Sequence, residues 1–385
     1  MKMLIVGSDP KQGLLFYPTI TAISLAKKNH EITLLTWGEK EQSEGLFAML
    51  ASQNIQCIKV NFLRFHGLRL LIHSEKEAQQ ILKKFTPDII LTYGPNTTFQ
   101  LRKINKNDSA KRVTIVAAMG HASKFKLHQK FGALLLNKFS DLVVAQCQLE
   151  YERLVRLGVN RNIIEIIPAP LDCENFIRSN HKFGINEKRS ILNEYSLPAN
   201  KRLVGCFANF NRVKSQDLLI RAFAQANSSQ KKWHLILAGE GPLKNHLISL
   251  VKKIGIDQSV TFLPRLPTMA IPKLLKSMDA MAHPSAIETF GYSILEPLLF
   301  DLPLIAARAG IGLELEKTGF STIIDPGDQQ ALANALQDLF DHYGKYKIKA
   351  IGSAEFVKKY FDIESIALKL INHFNNLIKK GKLWI

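Results

Sequence analysis

Two carboxylates, Glu288 and Glu296, are separated by seven residues in the run HPSAIETFGYSILEPLLFDLP at 283–303. Glu288 falls in a turn with Phe290 and Gly291, soon after the strand-like run AMAH. Glu296 falls in the apolar run SILEPLLF, which reads as a helix. One acid is then expected in a loop at the C-terminal edge of a strand, and the other inside the helix that follows. The first amides of a helix have no intrahelical acceptor and can hold an anion. Amides for phosphates and carboxylates for hydroxyls suit a phosphate-bearing sugar. Surface helices carry many acids, so the flanking Pro284, Ser285, Phe290, Gly291, Asp301 and Pro303 supply much of the signal.

Cations come from CFANFNRVKSQDLLIRAF at 206–223, where a strand ends near Asn209 and a helix begins near Gln216. Arg212 and Lys214 lie close to that helix start, well placed to neutralise a departing diphosphate. The plain alternative is a solvated pair on a loop. In LILAGEGPLKNHL at 235–247, Gly239, Gly241 and Pro242 follow a strand and permit a tight turn with close ligand approach. Many α/β turns share this Gly-x-Gly shape.

These residues must be held by strand ends, and the chain offers many. Apolar runs at 3–7, 31–37, 55–62, 88–94, 113–119, 141–146 and 163–169 alternate with helical patterns, including 17–28 and 75–85. A second series runs through 202–209, 233–239, 260–266, 279–285, 302–308 and 321–325. This is the pattern of parallel sheets covered by helices on both faces, an α/β fold. Two series predict two Rossmann-like domains, with the polar, turn-rich segment 171–201 between them as a linker. The expected boundaries are 1–175 for the N-terminal domain and 176–360 for the C-terminal domain. A C-terminal helix at 361–385 is expected to pack back on the first. Ligands bind beyond the C-terminal strand edges of such sheets, so the expected active site is a cleft between the domains.

A chain of 385 residues, 46% hydrophobic and 22% charged, is long enough for two domains with ample cores. No apolar run reaches 18 residues, and the apolar run in MKMLIVGSDP is too short for a signal peptide. Cys57, Cys147, Cys173 and Cys206 lie far apart without metal spacing, which reads as free thiols in a reducing cytoplasm. The formal net charge is +18, and residues 61–138 hold 14 Lys and Arg against 4 Asp and Glu. Such a field attracts anionic membranes, nucleic acid or phosphorylated substrates. A generally basic proteome is the bland alternative.

The stretch 283–303 resembles the paired-glutamate signature of glycosyltransferase family 4, the retaining group 1 transferases of the GT-B fold. ARAGIGLELEKTGFSTIIDPGD at 307–328 resembles the family's Gly-Gly-x-x-Glu loop and later Pro-Gly-Asp turn, with Ile311 at the second glycine, Gly312 one place later, and Glu314 as its acid. Lys214 matches the family's Arg–Lys phosphate clamp, while the usual Arg position holds Asn209 and Arg212 stands as its substitute. IIPAPLDCENF at 166–176 resembles a family hinge, with Asp172 and Phe176 retained. The resemblance spans nearly the whole chain, specific over 206–328 and loose before 113.

The resemblance implies a GT-B fold, two Rossmann-like domains facing across a cleft, with 1–175 binding the acceptor and 176–360 the nucleotide sugar, and sugar transfer from a nucleotide diphosphate donor. UDP-sugars are favoured and GDP-sugars come next. The acceptor is a glycan or glycolipid hydroxyl in bacterial surface polysaccharide or lipopolysaccharide synthesis. It implies His121, Lys214 and Glu288 as catalytic residues. It implies donor contacts at Gly13, Arg212, Gly239, Arg265, Phe290, Gly291, Tyr292, Ser293 and Glu296. Gly13 fits an ordinary turn equally well, and Arg265 fits a solvent-facing residue. No essential metal or other cofactor is expected.

Basic residues interleave with apolar ones in SKFKLHQKFGALLLNKF at 123–139, at Phe125, Lys126, Lys130, Phe131, Leu134, Leu135 and Lys138. Arg64, Phe65 and Arg69 do the same at 61–73. An interfacial helix on an anionic membrane is one reading, and a helix packed on the sheet with solvated lysines is the other. The expected location is the cytoplasm, peripheral on the inner face of the membrane. Two rivals remain: a GT-B nucleotide-sugar epimerase, and a nucleic-acid-binding protein drawn by the charge. The second lacks zinc-finger spacing and an aromatic RNA-binding signature, so no nucleic-acid partner is expected.

Overall fold

The computed structural model describes residues 1–6, 16–36, 50–59, 86–95, 97–98, 110–116, 126–178, 185–228 and 232–379. The chain divides into two compact units, Met1–Leu171 with Phe361–Ile385, and Asp172–Tyr360.

The first unit is built on a seven-stranded sheet. Its strands are β1 (Lys2–Val6), β2 (Glu31–Thr36), β3 (Gln56–Lys59), β4 (Ile89–Tyr93), β5 (Lys111–Val116), β6 (Leu142–Ala145) and β7 (Ile164–Ile166). Their order is β3-β2-β1-β4-β5-β6-β7, and every pairing is parallel. Buried runs such as Met3–Val6 and Leu142–Ala145 show why these segments become strands, because both sheet faces are covered. The unit's first helices are α1 (Phe16–Ala26), α2 (Lys126–Phe139) and α3 (Gln148–Arg156).

The second unit has six parallel strands: β8 (Arg202–Phe207), β9 (Trp233–Ala238), β10 (Val260–Leu263), β11 (Ala280–His283), β12 (Leu304–Ala307) and β13 (Thr322–Ile324). Their order is β10-β9-β8-β11-β12-β13. Its helices begin with α4 (Cys173–Arg178), α5 (Ile185–Glu194), α6 (Gln216–Ala226), α7 (Lys244–Ile254) and α8 (Ile271–Ser277). They continue with α9 (Tyr292–Leu298), α10 (Gly312–Glu316), α11 (Gln329–Asp341), α12 (Tyr343–Ala350) and α13 (Ser353–Phe361). One core layer is aromatic: Trp233 stacks on Phe340 with centroids 4.5 Å apart, and Phe223 meets Phe340 edge-on at 5.9 Å.

The last helix, α14 (Ile363–Lys379), belongs to the first unit. Ile366, Ala367, Leu370 and Phe374 are buried in one cluster with Met3, Ile5 and Leu25. Main-chain bonds from Leu171 N to the Phe361 carbonyl (2.8 Å) and from Ile363 N to the Leu171 carbonyl (3.1 Å) mark the return.

The linker expected at 171–201 is replaced by structure. Within it, α4 and α5 belong to the second unit, with Ile191, Leu192 and Leu197 buried. Ion pairs Lys188–Asp279 (3.8 Å) and Lys273–Glu194 (3.6 Å) flank the α5 contact. The segment looks polar because so narrow an apolar stripe suffices to dock a short helix.

Strand order reverses between β1 and β4 in the first unit and between β8 and β11 in the second. Such switch points leave crevices at the C-terminal strand ends.

Candidate active site

Strands β8 and β11 are neighbours, with Val204 beside Ala280 and Gly205 beside Met281. Beyond their C-terminal ends the two connections diverge. After β8 the chain makes a 3-10 turn, Arg212–Lys214, then enters α6 through Ser215 in a left-handed conformation (φ 52°). After β11 it runs through Pro284 and Ser285 to Glu288. Lys214 Nζ donates to Glu288 Oε1 at 2.6 Å, with side chains 19% and 8% exposed. The two loops are also tied by Ala286 N donating to the Val213 carbonyl at 2.8 Å. Two residues separated by 74 positions thus form a largely dry ion pair at the switch point.

Neighbouring loops brace this pair through main-chain bonds. Gln216 Nε2 donates to the Asn209 carbonyl at 3.0 Å, fixing the loop that carries Arg212 and Lys214. Phe210 N donates to the Glu240 carbonyl (2.9 Å), and Leu243 N donates to the Phe210 carbonyl (3.1 Å). Gly239 is needed because a Cβ there would be driven into the Ala208 carbonyl. On the other side, Ile311 N donates to the Phe290 carbonyl at 2.8 Å. Gly310, at φ +56°, packs so closely that a Cβ would lie 2.8 Å from Glu288 Cβ. Gly310 is the first glycine of the Gly-Gly-x-x-Glu resemblance, followed by Ile311, Gly312 and Glu314. Glu314 lies in the first turn of α10.

The remaining predicted residues divide by position. Arg212 is exposed and opens the same 3-10 turn that ends at Lys214, two residues away. Gly291 (φ 101°) precedes α9, and Tyr292 and Ser293 form its half-buried first turn. Phe290 is fully buried, with its ring edge-on to Tyr292 at 5.4 Å, so it anchors the loop by packing. With seven residues, α9 has a small macrodipole, and positive charge at this edge falls to Lys214 and Arg212. Arg265 is exposed beyond β10, the edge strand two places from β8, and is not brought to the ion pair. Asp172 Oδ1 accepts from Asn175 N at 3.2 Å at the start of α4, and Phe176 meets Phe300 at 6.1 Å. Gly13, His121, Arg64, Phe65, Arg69 and Phe125 lie outside the described residues.

Burial shapes the titration of this site. The Glu296 carboxyl on α9 is pushed up to about 7 by desolvation. His283, at the end of β11, is 1% exposed with neither ring nitrogen hydrogen-bonded among the described residues. Burial, aided by the nearby Lys214 ammonium, lowers it to about 3, so the imidazole is neutral. Sequence reading passed over this histidine because an AMAH strand end looks like plain core.

A Glu296→Gln variant follows from the raised carboxyl. The folded value lies above the ordinary value near 4.5, so the group's stability contribution is full below 4.5 and is lost as pH rises through about 7. The glutamine variant lacks that loss. Its melting temperature relative to wild type should therefore climb between pH 4.5 and 7 and level off above. A difference independent of pH across that range would contradict the buried carboxyl.

Known proteins give this site a context. A model described as "Glycosyl transferases group 1" matches residues 187–350, and one described as "Glycosyltransferase Family 4" matches residues 20–175. The O-antigen biosynthesis glycosyltransferase WclY of Escherichia coli is 26% identical over 320 residues, 81% of each chain. HepE of Anabaena, solved with UDP and glucose, has a TM-score of 0.80 at 22% identity, covering 98% of this chain and 100% of that one. WaaG, a glycosyltransferase involved in lipopolysaccharide biosynthesis, has a TM-score of 0.70 at 14% identity, covering 97% and 99%. The architecture is GT-B. With the two models matched to successive halves of the sequence, the chain belongs to the family 4, group 1 glycosyltransferases.

Proposed function

We propose that this glycosyltransferase moves a sugar, with its anomeric configuration retained, from a nucleotide diphosphate donor to a glycan or glycolipid hydroxyl. A UDP-sugar is the favoured donor and a GDP-sugar the next. The acceptor belongs to bacterial surface polysaccharide or lipopolysaccharide assembly. The observation that carries this reading is the Lys214–Glu288 ion pair at the switch point of the second sheet. HepE, of the same fold, was solved with UDP and with UDP-glucose, which supports the donor class.

In the proposed reaction the bond from the anomeric carbon to the diphosphate breaks on the face where the acceptor hydroxyl adds. Negative charge grows on the leaving diphosphate, which takes the hydroxyl proton. The protein's part is fixed positive charge aimed at that oxygen. Lys214 and Arg212 supply it, so no essential metal is required. Glu288 exchanges Lys214 for sugar hydroxyls and holds the ring, and Glu296 accepts from the ribose hydroxyls. His121 is assigned to a sugar or acceptor hydroxyl, and Gly13 to the donor or acceptor, by resemblance alone.

A melting screen against nucleotide sugars, with chelator present throughout, tests the donor. A true donor at 100 times its dissociation constant stabilises the fold by about 2.7 kcal/mol. A UDP-sugar should raise the melting temperature most. If no nucleotide sugar moves it, the donor assignment fails.

The acceptor side supports a membrane location. On α2, Lys130, Phe131, Leu134, Asn137 and Lys138 are exposed, with Phe131 54% and Leu134 64% accessible, while Ala133, Leu135 and Leu136 are buried. An exposed face of lysines and large apolar groups suits an anionic bilayer surface. The protein should co-sediment with anionic vesicles at low salt, and Phe131→Ser with Leu134→Ser should reduce the bound fraction. Equal sedimentation with and without vesicles would refute the docking face. Among the described residues no helix is long and apolar enough to cross a membrane.

A further inference from the structure

The second unit carries a cavity of about 550 Å³ that the sugar-transfer reading does not use. Its lining includes Met278 and Asp279 just before β11, and Phe300, Asp301 and Leu302 just before β12. It therefore lies at the N-terminal edge of the sheet, about 20 Å from the Lys214 edge by the length of a six-residue strand. Its size is that of a small-ligand pocket.

Three ammonium groups line it, on Lys188, Lys276 and Lys347. Lys276 Nζ sits 5.7 Å from the Phe300 ring centroid. Burial lowers its pKa, and the nearby Glu187 carboxylate offsets part of that shift, so the ammonium is partly stripped of water. Two carboxylates share the lining, and both are engaged in the framework. Asp279 accepts from Leu203 N at 2.8 Å and from the Tyr343 hydroxyl, and pairs with Lys188 at 3.8 Å. Asp301 Oδ1 accepts from Ala354 N at 3.0 Å and from Ser353 Oγ at 3.2 Å, anchoring α13.

Beside these charges stands an apolar lip. Ile348 and Ile351 are 72% and 67% exposed, among the largest exposures of any large apolar side chain in the described residues. Both line the cavity next to Lys347. Leaving two isoleucines in water forgoes the burial that usually covers such side chains. Ammonium groups and bare hydrocarbon on one lining complement one kind of molecule, an anion joined to an apolar chain. We infer that this cavity binds the phosphate headgroup of an anionic lipid, with the lipid's hydrocarbon lying across Ile348 and Ile351. It is a second lipid contact, on different residues from α2 and away from the catalytic edge.

The test uses the full chain and monomeric short-chain lipids below their micelle concentrations, with binding read by calorimetry. Dihexanoyl phosphatidic acid should bind at least about tenfold more tightly than glycerol 3-phosphate, which has the phosphate without the chains. It should also bind at least about tenfold more tightly than dihexanoyl phosphatidylcholine, which has no net charge. Lys347→Glu, and separately Ile348→Ser with Ile351→Ser, should each weaken phosphatidic acid by about fivefold or more. These positions are exposed, so the variants should fold, and their activity on a soluble acceptor should match wild type. Phe131→Ser with Leu134→Ser should leave this binding unchanged. Equal affinity for glycerol 3-phosphate would make it a plain phosphate site and overturn the inference. Equal affinity for phosphatidylcholine, full binding by the cavity variants, or no binding of phosphatidic acid would overturn it as well.

Discussion

Lys214→Ala is expected to lower turnover by at least about 100-fold, the usual loss when one group stabilising transition-state charge is removed. The ammonium is held at the β8 end by the 3-10 turn and by the Val213–Ala286 main-chain bond, so a neighbouring side chain has little freedom to take its place. Arg212 is exposed at the start of the same 3-10 turn, and in the proposed reaction it retains part of the attraction for the diphosphate. Donor affinity should therefore fall less than turnover. Steady-state kinetics against donor concentration check this, and turnover within a few-fold of wild type would remove Lys214 from the chemistry.

Glu288→Ala should cost turnover on a similar scale, about 100-fold, because the carboxylate fixes the sugar ring relative to the leaving group. Stability separates this role from a purely structural one. Lys214 and Glu288 are 19% and 8% exposed, so each single variant leaves its partner's charge poorly solvated. Loss of one partner of a buried pair costs about 3 kcal/mol, whereas replacing both by uncharged groups costs far less. The pair Lys214→Met with Glu288→Gln should regain most of the stability lost by either single change and regain no activity. Denaturant melts and turnover on the same four proteins give the answer. If activity returned with stability, the pair would be only a structural strut.

The fold was legible because parallel strands covered on both faces leave near-continuous apolar runs. Runs such as MLIV, LVVA and WHLILA carry that signal without help from distant residues. All thirteen expected strand runs correspond to strands of the two sheets. Local placement was legible where one short segment held its own signature: Glu288 and Gly291 fall in the loop after β11, and Glu296 falls inside α9. What could not be read were relations between segments. The motif marks Gly310 as a glycine, but the reason, the Phe290 carbonyl and Glu288 pressing on it from another segment, shows only in the structure. Gln216 looks like an ordinary helix residue until its amide is seen on the Asn209 carbonyl. His283 is distinguished by its burial with neither ring nitrogen hydrogen-bonded among the described residues. Arg265 was assigned by its place after a strand, and strand order puts it past the edge strand β10, two places from the strand that leads to Lys214.

The strands also explain why the pair can act without a large local rearrangement. Its two loops begin from adjacent strands and share a main-chain bond, so the distance between Lys214 and Glu288 is set by the sheet. In the proposed reaction a donor exchanges one side-chain contact for two: phosphate oxygens for the ammonium and sugar hydroxyls for the carboxylate.

A crystal structure of the complex with UDP tests this exchange most directly. Lys214 Nζ should lie about 2.8 Å from a diphosphate oxygen, the length of a charge-assisted hydrogen bond. Its 2.6 Å contact with Glu288 should be opened. A nucleotide bound beyond the β8 and β11 ends with that contact intact, or bound elsewhere on the second sheet, would contradict it.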